Sequence, residues 1–149
     1  MMEFKLCSSA FCQGDHLPAW YCGAGLNASP PFGWDGEPEG TVSLALICRS
    51  SAGNVHWVMW NIPNTLKTIY GKQPSEGKLS DGIIQGVNDF GDTGWTGPEG
   101  RKEGMSLTLT LYALDSRLGL SDPAANAERL MASMKGHILK EASLTCECS

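Results

Sequence analysis

Few residues in this chain combine a reactive side chain with a local pattern that could position it. The first is His56. It opens the run His56-Trp57-Val58-Met59-Trp60-Asn61-Ile62-Pro63, which alternates as an extended chain and stops at a proline that cannot donate to a sheet ladder. A histidine at the end of such a strand can donate to or accept from a ligand, and it can equally be a hydrogen-bonded structural residue. The second is the segment Gly86-Val87-Asn88-Asp89-Phe90-Gly91-Asp92-Thr93-Gly94-Trp95-Thr96-Gly97-Pro98. Its glycines permit left-handed or close-packed backbone, and Asn88 and Asp89 can bond local N–H groups. No G-K-[ST] follows it, so it is not a phosphate loop of the nucleotide-binding type. The third is the C-x-C pair Cys146 and Cys148, among six cysteines in all. It lacks a second pair at zinc-ligand spacing, so the expectation is buried or edge thiols and no metal. No Ser-His-Asp or Cys-His arrangement is visible, which makes hydrolase or transferase chemistry the weakest reading.

The elements that must hold these residues can be read from periodicity. Ser106–Leu114 alternates cleanly, with Leu107, Leu109, Leu111 and Ala113 on one side and Ser106, Thr108, Thr110 and Tyr112 on the other. Residues 41–48 alternate and then become wholly apolar, as a central strand does, and a connection at Arg49–Asn54 permits a hairpin into the His56 strand. In that strand the period places Val58, Trp60 and Ile62 on one face and Trp57, Met59 and Asn61 on the other. Asp122-Pro123 reads as a helix cap and first position, predicting a helix over 123–135. A short helical continuation is expected over 137–142, then a last strand over 143–148. Residues 27–40 are a packed loop anchored by Phe32 and Trp34, and Ser29-Pro30 is a candidate cis peptide. His16 reads as a surface residue.

Composition narrows the functional classes. The chain has 149 residues, 42% of them hydrophobic and 18% charged, which suits one domain over 1–149 with a real core. A formal net charge of -5 argues against nucleic acid or an anionic membrane as the main partner. No apolar run is long enough to cross a bilayer, and the N-terminus has no basic n-region, so a cytoplasmic protein with reduced thiols is expected.

Taken in order, several segments resemble the phosphatidylethanolamine-binding protein family, also called Raf kinase inhibitor-like, in its short bacterial and archaeal branch. They are Gly25-x-Asn27-x-Ser29-Pro30-Pro31-x-Gly33-Trp34, the His56 strand, Gly86-x-Asn88-Asp89-Phe90-Gly91-x-x-Gly94-Trp95-x-Gly97-Pro98, Leu111-Tyr112-Ala113-Leu114-Asp115 and Gly136-His137-Ile138-Leu139. The resemblance implies a mainly β fold, with a large antiparallel sheet packed on a smaller one and a few peripheral helices. It implies a pocket for phosphate-like anions, no cofactor and no established chemistry, and its bacterial members suggest a homodimer. His56, Gly97 and Pro98 match the family's pocket residues. Where the family has D-P-D-A-P, this chain has Arg49-Ser50-Ser51-Ala52-Gly53, with Arg49 and Ser51 at the aspartate positions. Where the family has H-R-Y, it has Met105-Ser106-Leu107.

The second pocket histidine is therefore absent. Burial without an acid partner would favour a neutral His56 that lends no charge, unless Asp89 or Asp92 approaches it. Arg49 could supply a guanidinium to a phosphate, or could be a solvated turn residue. The function expected is a non-enzymatic binding protein with a degenerate pocket for a small anion or phospholipid headgroup around His56, Gly97, Pro98, Arg49, Ser51 and Met105. The alternative is a protein-interaction regulator, kinase-inhibitor-like, with a vestigial pocket.

Overall fold

The computed structural model describes residues 3–23, 25–99 and 104–148. Two antiparallel sheets form its centre. Strands β1 (Lys5–Cys7), β2 (Phe32–Asp35) and β5 (Thr68–Ile69) make a three-stranded sheet in the order β1-β2-β5. Strands β3 (Ser43–Ser50), β4 (Val55–Pro63), β6 (Ile84–Gln85), β7 (Ser106–Leu114) and β8 (Ile138–Glu147) make a five-stranded sheet in the order β6-β4-β3-β7-β8. The one α-helix among the described residues is α1 (Ala127–Met134).

The large sheet is buried on both faces. Leu44, Leu46 and Cys48 of β3, Trp57 and Met59 of β4, and Leu107, Leu109 and Leu111 of β7 pack with Leu6, Phe32, Trp34 and Ile69 of the small sheet. On the opposite face, Ala45 and Ile47 of β3, Val58 and Trp60 of β4 and Tyr112 of β7 meet Leu130 and Met134 of α1. Alternation thus feeds two cores from one set of strands.

Two irregularities in β4 decide where its side chains point. Pairing runs Leu44↔Ile62 and then Leu46↔Met59, so β4 carries one more residue than β3 across that interval. Asn61 takes up the excess with φ 56°, and its side chain bonds Leu118 from both ends: Nδ2 donates to the carbonyl at 3.0 Å and Oδ1 accepts from the N–H at 2.8 Å. Strict alternation places Ile62 with Val58 and Trp60; the bulge moves it to the face of Trp57 and Met59. The second irregularity falls between Cys48↔Trp57 and Arg49↔Val55, and the extra residue there is His56.

The sequence reading needs four further corrections. Phe32–Asp35, expected as part of a packed loop over 27–40, is strand β2, paired with β1 and β5. Asp122-Pro123 starts a turn and not the helix. Asp122 Oδ1 accepts from the Ala124 N–H at 2.9 Å and its carbonyl from the Ala125 N–H at 3.0 Å. The cap is Asn126, whose Oδ1 accepts from the Arg129 N–H at 3.0 Å. Residues 138–142 are the first half of β8, paired along β7 from Leu114↔Ile138 to Leu111↔Ala142, so the free edge of β7 overrides their helical propensity. Finally, there is no cis peptide among the described residues, Ser29-Pro30 included.

Candidate functional site

The site begins with the bulge at His56. A bulged residue leaves the alternation and is re-aimed by the local twist. His56 lines a cleft of about 440 Å³ together with Ser50, Asn54, Phe90, Asp92, Thr96, Gly97, Pro98, Glu99 and Met105. The side is the one that carries Trp57: the Trp57 and Trp95 rings meet edge-on at 5.7 Å, and the His56 and Trp95 centroids lie 6.5 Å apart. Phe90, exposed at the rim, has its ring centroid 4.9 Å from the imidazole.

The wall opposite β4 is the segment 86–98, which is held from within by Asn88. The buried Asn88 amide donates to the Gly94 carbonyl at 3.0 Å and to Thr96 Oγ1 at 2.9 Å, while Oδ1 accepts from the N–H groups of Phe90 at 2.9 Å and Asp92 at 3.2 Å. Asp92 Oδ2 accepts in turn from Thr96 Oγ1 at 2.8 Å. A second loop backs this one. Trp95 Nε1 donates to the Tyr21 carbonyl at 3.1 Å, and the Gly23 N–H to the Pro98 carbonyl at 2.7 Å. Gly97 has to be glycine here, because a Cβ would stand 2.1 Å from the Tyr21 carbonyl oxygen.

His56 is 3% exposed. Its Nδ1 lies 2.6 Å from the Thr96 carbonyl oxygen, which can only accept, so Nδ1 carries a proton. Nε2 has no partner among the described residues, and it is the nitrogen left to face the cleft. Burial pushes the imidazole pKa below its ordinary value, although the Thr96 carbonyl and the charge of Asp89 pull it the other way. In the neutral form Nε2 is therefore an acceptor, and the hydrogen bond a neutral imidazole can donate is already spent on the main chain.

The expected site residues divide. His56, Gly97, Pro98 and Met105 come together in the cleft. The Gly97 N–H is already donated to Asn27 Oδ1 at 2.7 Å, a contact between residues 70 apart in sequence. Arg49 is not brought there. It alternates to the helix-facing side of β3 and lines a separate cleft with Asp89, Asn126, Glu128 and Met131. Ser51 is also outside; it ties the hairpin to β7, its Oγ accepting from the Ser106 N–H at 3.0 Å and its N–H donating to the Ser106 carbonyl at 2.8 Å. Neither Asp89 nor Asp92 bonds His56, since Asp89 Oδ2 takes the Val55 N–H at 2.7 Å and Asp92 takes Thr96 Oγ1. Sequence reasoning missed Thr96, Asn27, Phe90 and Glu99 as wall or support, and placed Asp92 near His56 without its bond to Thr96. The glycine-rich pattern marked the loop, but no local signal assigns Thr96 to His56 or Asn27 to Gly97.

Comparison with known proteins agrees with this architecture. The family model described as phosphatidylethanolamine-binding protein matches residues 7–149. This chain belongs to the phosphatidylethanolamine-binding protein (PEBP) family. A UPF0098 protein of Methanothermobacter thermautotrophicus is 40% identical over 144 residues, 94% of this chain and 95% of the relative. The UPF0098 protein YbhB of Escherichia coli is 31% identical over 155 residues, 95% of this chain and 97% of the relative. The crystal structure of E. coli YbcL, described as a member of the mammalian PEBP family, superposes with a TM-score of 0.87 at 26% identity, covering 97% of both chains. The two-sheet arrangement is thus the PEBP fold. Among the described residues no helix is long and apolar enough to cross a membrane.

Proposed function

We propose that this PEBP-family chain is a non-enzymatic binding protein whose His56 cleft takes a small headgroup-like ligand and holds free phosphate dianion only weakly. The observation that carries the reading is Nε2 of a buried histidine, facing a cleft of headgroup size with its proton held on the opposite nitrogen. General-base work would ask for a hydroxyl or thiol on Nε2, and among the described residues it has none. Phosphate binding would ask for donors. The Gly97 N–H is used by Asn27, Arg49 lies on the other face, and Met105 presents a thioether to the cleft. A neutral Nε2 adds an acceptor where a dianion needs a donor.

Calorimetric titration of phosphate and phosphoethanolamine into the wild type, His56→Ala and Met105→His tests this. The wild type should bind phosphate in the millimolar range or weaker. Met105→His should tighten it roughly tenfold, the worth of one charge-assisted hydrogen bond of about 1.4 kcal/mol. Micromolar phosphate binding by the wild type, unchanged in His56→Ala, would overturn the reading.

A further inference from the structure

A second cleft lies on the helix-facing side of the large sheet, where Arg49, Val55, Asp89, Asn126, Glu128 and Met131 line a space of about 410 Å³. Its charged groups are of both signs: the Arg49 guanidinium and the carboxylates of Asp89 and Glu128. Opposite charges around one surface cleft ordinarily meet as ion pairs. Here neither carboxylate pairs with Arg49; the ion pairs among the described residues are Lys67–Glu37, Arg129–Asp122 and His137–Asp115.

The main chain holds the charges apart. Asp89 Oδ2 accepts from the Val55 N–H at 2.7 Å, and the Asp89 N–H donates to the Val55 carbonyl at 3.0 Å, so this carboxylate is anchored to β4. Arg49 is set on β3 between its partners Val55 and Thr108. Glu128 stands on the first turn of α1. Three elements thus present one charge each to a common space. Asn126 adds a donor, because its Oδ1 is taken by the Arg129 N–H at 3.0 Å and only its amide nitrogen is left to bond a ligand. Beside these groups lie the buried Val55 and the side chain of Met131, which is 37% exposed.

Each wall selects a different group. A guanidinium takes a carboxylate in planar, bidentate fashion. Two carboxylates attract an ammonium, and Val55 with Met131 offers apolar surface to an aliphatic chain. A dianion would be repelled by Asp89 and Glu128, and a simple cation by Arg49. A ligand with both charges on one carbon and an apolar chain beside them satisfies all three walls.

We propose that this cleft binds the zwitterion of a free α-amino acid with an aliphatic side chain. The α-carboxylate meets Arg49 and Asn126, the α-ammonium faces Asp89 and Glu128, and the side chain rests on Val55 and Met131. The site is separate from the His56 cleft and does not depend on what that cleft binds.

The two clefts each carry a methionine that reports on them, Met131 in one and Met105 in the other. Methyl NMR of the full chain at neutral pH follows both while L-leucine, L-leucinamide and N-acetyl-L-leucine are added separately. Leucinamide lacks the carboxylate, and N-acetyl-leucine lacks the ammonium. Leucine at millimolar concentration should shift Met131 and leave Met105 in place. Each one-charge analogue should bind about tenfold more weakly or worse, the usual worth of one charged contact. Arg49→Gln should weaken leucine by a similar factor at the wild-type melting temperature, since Arg49 is exposed. Asp89→Asn with Glu128→Gln should do the same, the asparagine keeping an oxygen for the Val55 N–H.

The analogue comparison needs no variant. If leucinamide or N-acetyl-leucine binds as tightly as leucine, only one charge is read and the proposal is wrong. It is equally wrong if leucine leaves Met131 unmoved, or if folded Arg49→Gln binds leucine as well as the wild type. Leucine that shifts Met105 instead would overturn this site and put the amino acid in the His56 cleft. None of these failures touches the phosphate titrations of His56→Ala and Met105→His, which read the other face of the sheet.

Discussion

His56 and Thr96 hold each other by two hydrogen bonds: the Thr96 N–H donates to the His56 carbonyl at 3.0 Å, and His56 Nδ1 donates to the Thr96 carbonyl at 2.6 Å. Residues 40 apart in sequence thereby lock both the main chain of the bulge and the tautomer of its ring. In this arrangement the loop, and not an acid, orients the histidine.

The first prediction follows from burial of that ring. Desolvation lowers the His56 pKa from its ordinary 6.5, against the opposing pull of the Thr96 carbonyl and Asp89. The unfolded chain then takes up a proton near pH 6.5 that the folded chain still refuses. The stability His56 contributes is present above pH 6.5 and is lost as pH falls from there through the lower folded value. Melting temperatures from pH 7.5 to pH 5 should fall more steeply for the wild type than for His56→Gln. Equal slopes would mean that the imidazole titrates normally. The same protonation should favour phosphate as the pH drops.

A second prediction concerns the loop. Truncating Asn88 removes donors to Gly94 and Thr96 and the acceptor for Phe90 and Asp92 at once, in a buried place. Stranding buried polar groups typically costs about 1–3 kcal/mol, and Asn88→Ala belongs at the upper end of that range. Urea denaturation measures it. A loss below about 0.5 kcal/mol, the usual effect of a surface change, would show that the loop holds itself by other means.

Legibility in the sequence tracked the range of the interactions. The β7 alternation is local, and its strand emerged with the expected bounds, Ser106–Leu114. β3 and β4 shifted by no more than two residues at either end. Resemblance to the PEBP family supplied the two-sheet layout, which no period in the chain contains. What failed depended on pairing with something distant. The helical residues at the start of β8 were captured by an edge of β7, and the bulges that re-aim Ile62 and His56 follow from register against β3. In the site, the glycine-rich loop was visible as a pattern, but its three long-range ties, His56–Thr96, Asn27–Gly97 and Tyr21–Trp95, were not. Arg49 was placed by counting along an alignment, and one step of strand alternation sends it to the opposite face.

Two glycines give a paired test. At Gly97 a Cβ would lie 2.1 Å from the Tyr21 carbonyl oxygen and 2.9 Å from Asn27 Oδ1, so Gly97→Ala must push the 19–27 loop off the back of the cleft. Overpacking of this kind typically costs about 1–3 kcal/mol, and here the obstacle is main chain, which yields least. At Gly119 nothing lies within 4 Å of the added atom, and Gly119→Ala should change stability by no more than about 0.5 kcal/mol. Thermal melting of both variants decides it. A Gly97→Ala protein as stable as Gly119→Ala would place the loop farther from Tyr21 than described.

The last prediction concerns the thiols. Cys7 and Cys12 are exposed, whereas Cys22, Cys48, Cys146 and Cys148 are buried. Burial pushes the Cys146 thiol up to about 12 and that of Cys148 up to about 11, and raises Cys48 well above its ordinary value. Neighbouring thiols reinforce the shift, Cys148 for Cys146 and Cys22 for Cys148. Because the thiolate is the nucleophile, a raised pKa and loss of access act in the same direction. The C-x-C pair, which by spacing invites a metal or redox reading, therefore belongs to the unreactive set. Brief iodoacetamide treatment of the folded protein at pH 7.5 should alkylate Cys7 and Cys12, with the other four labelled only in denaturant. Peptide mass spectrometry reads this directly. Rapid labelling of Cys146 or Cys148 in the native protein would show that the end of β8 opens readily, and that the core beneath the cleft is less closed than its burial implies.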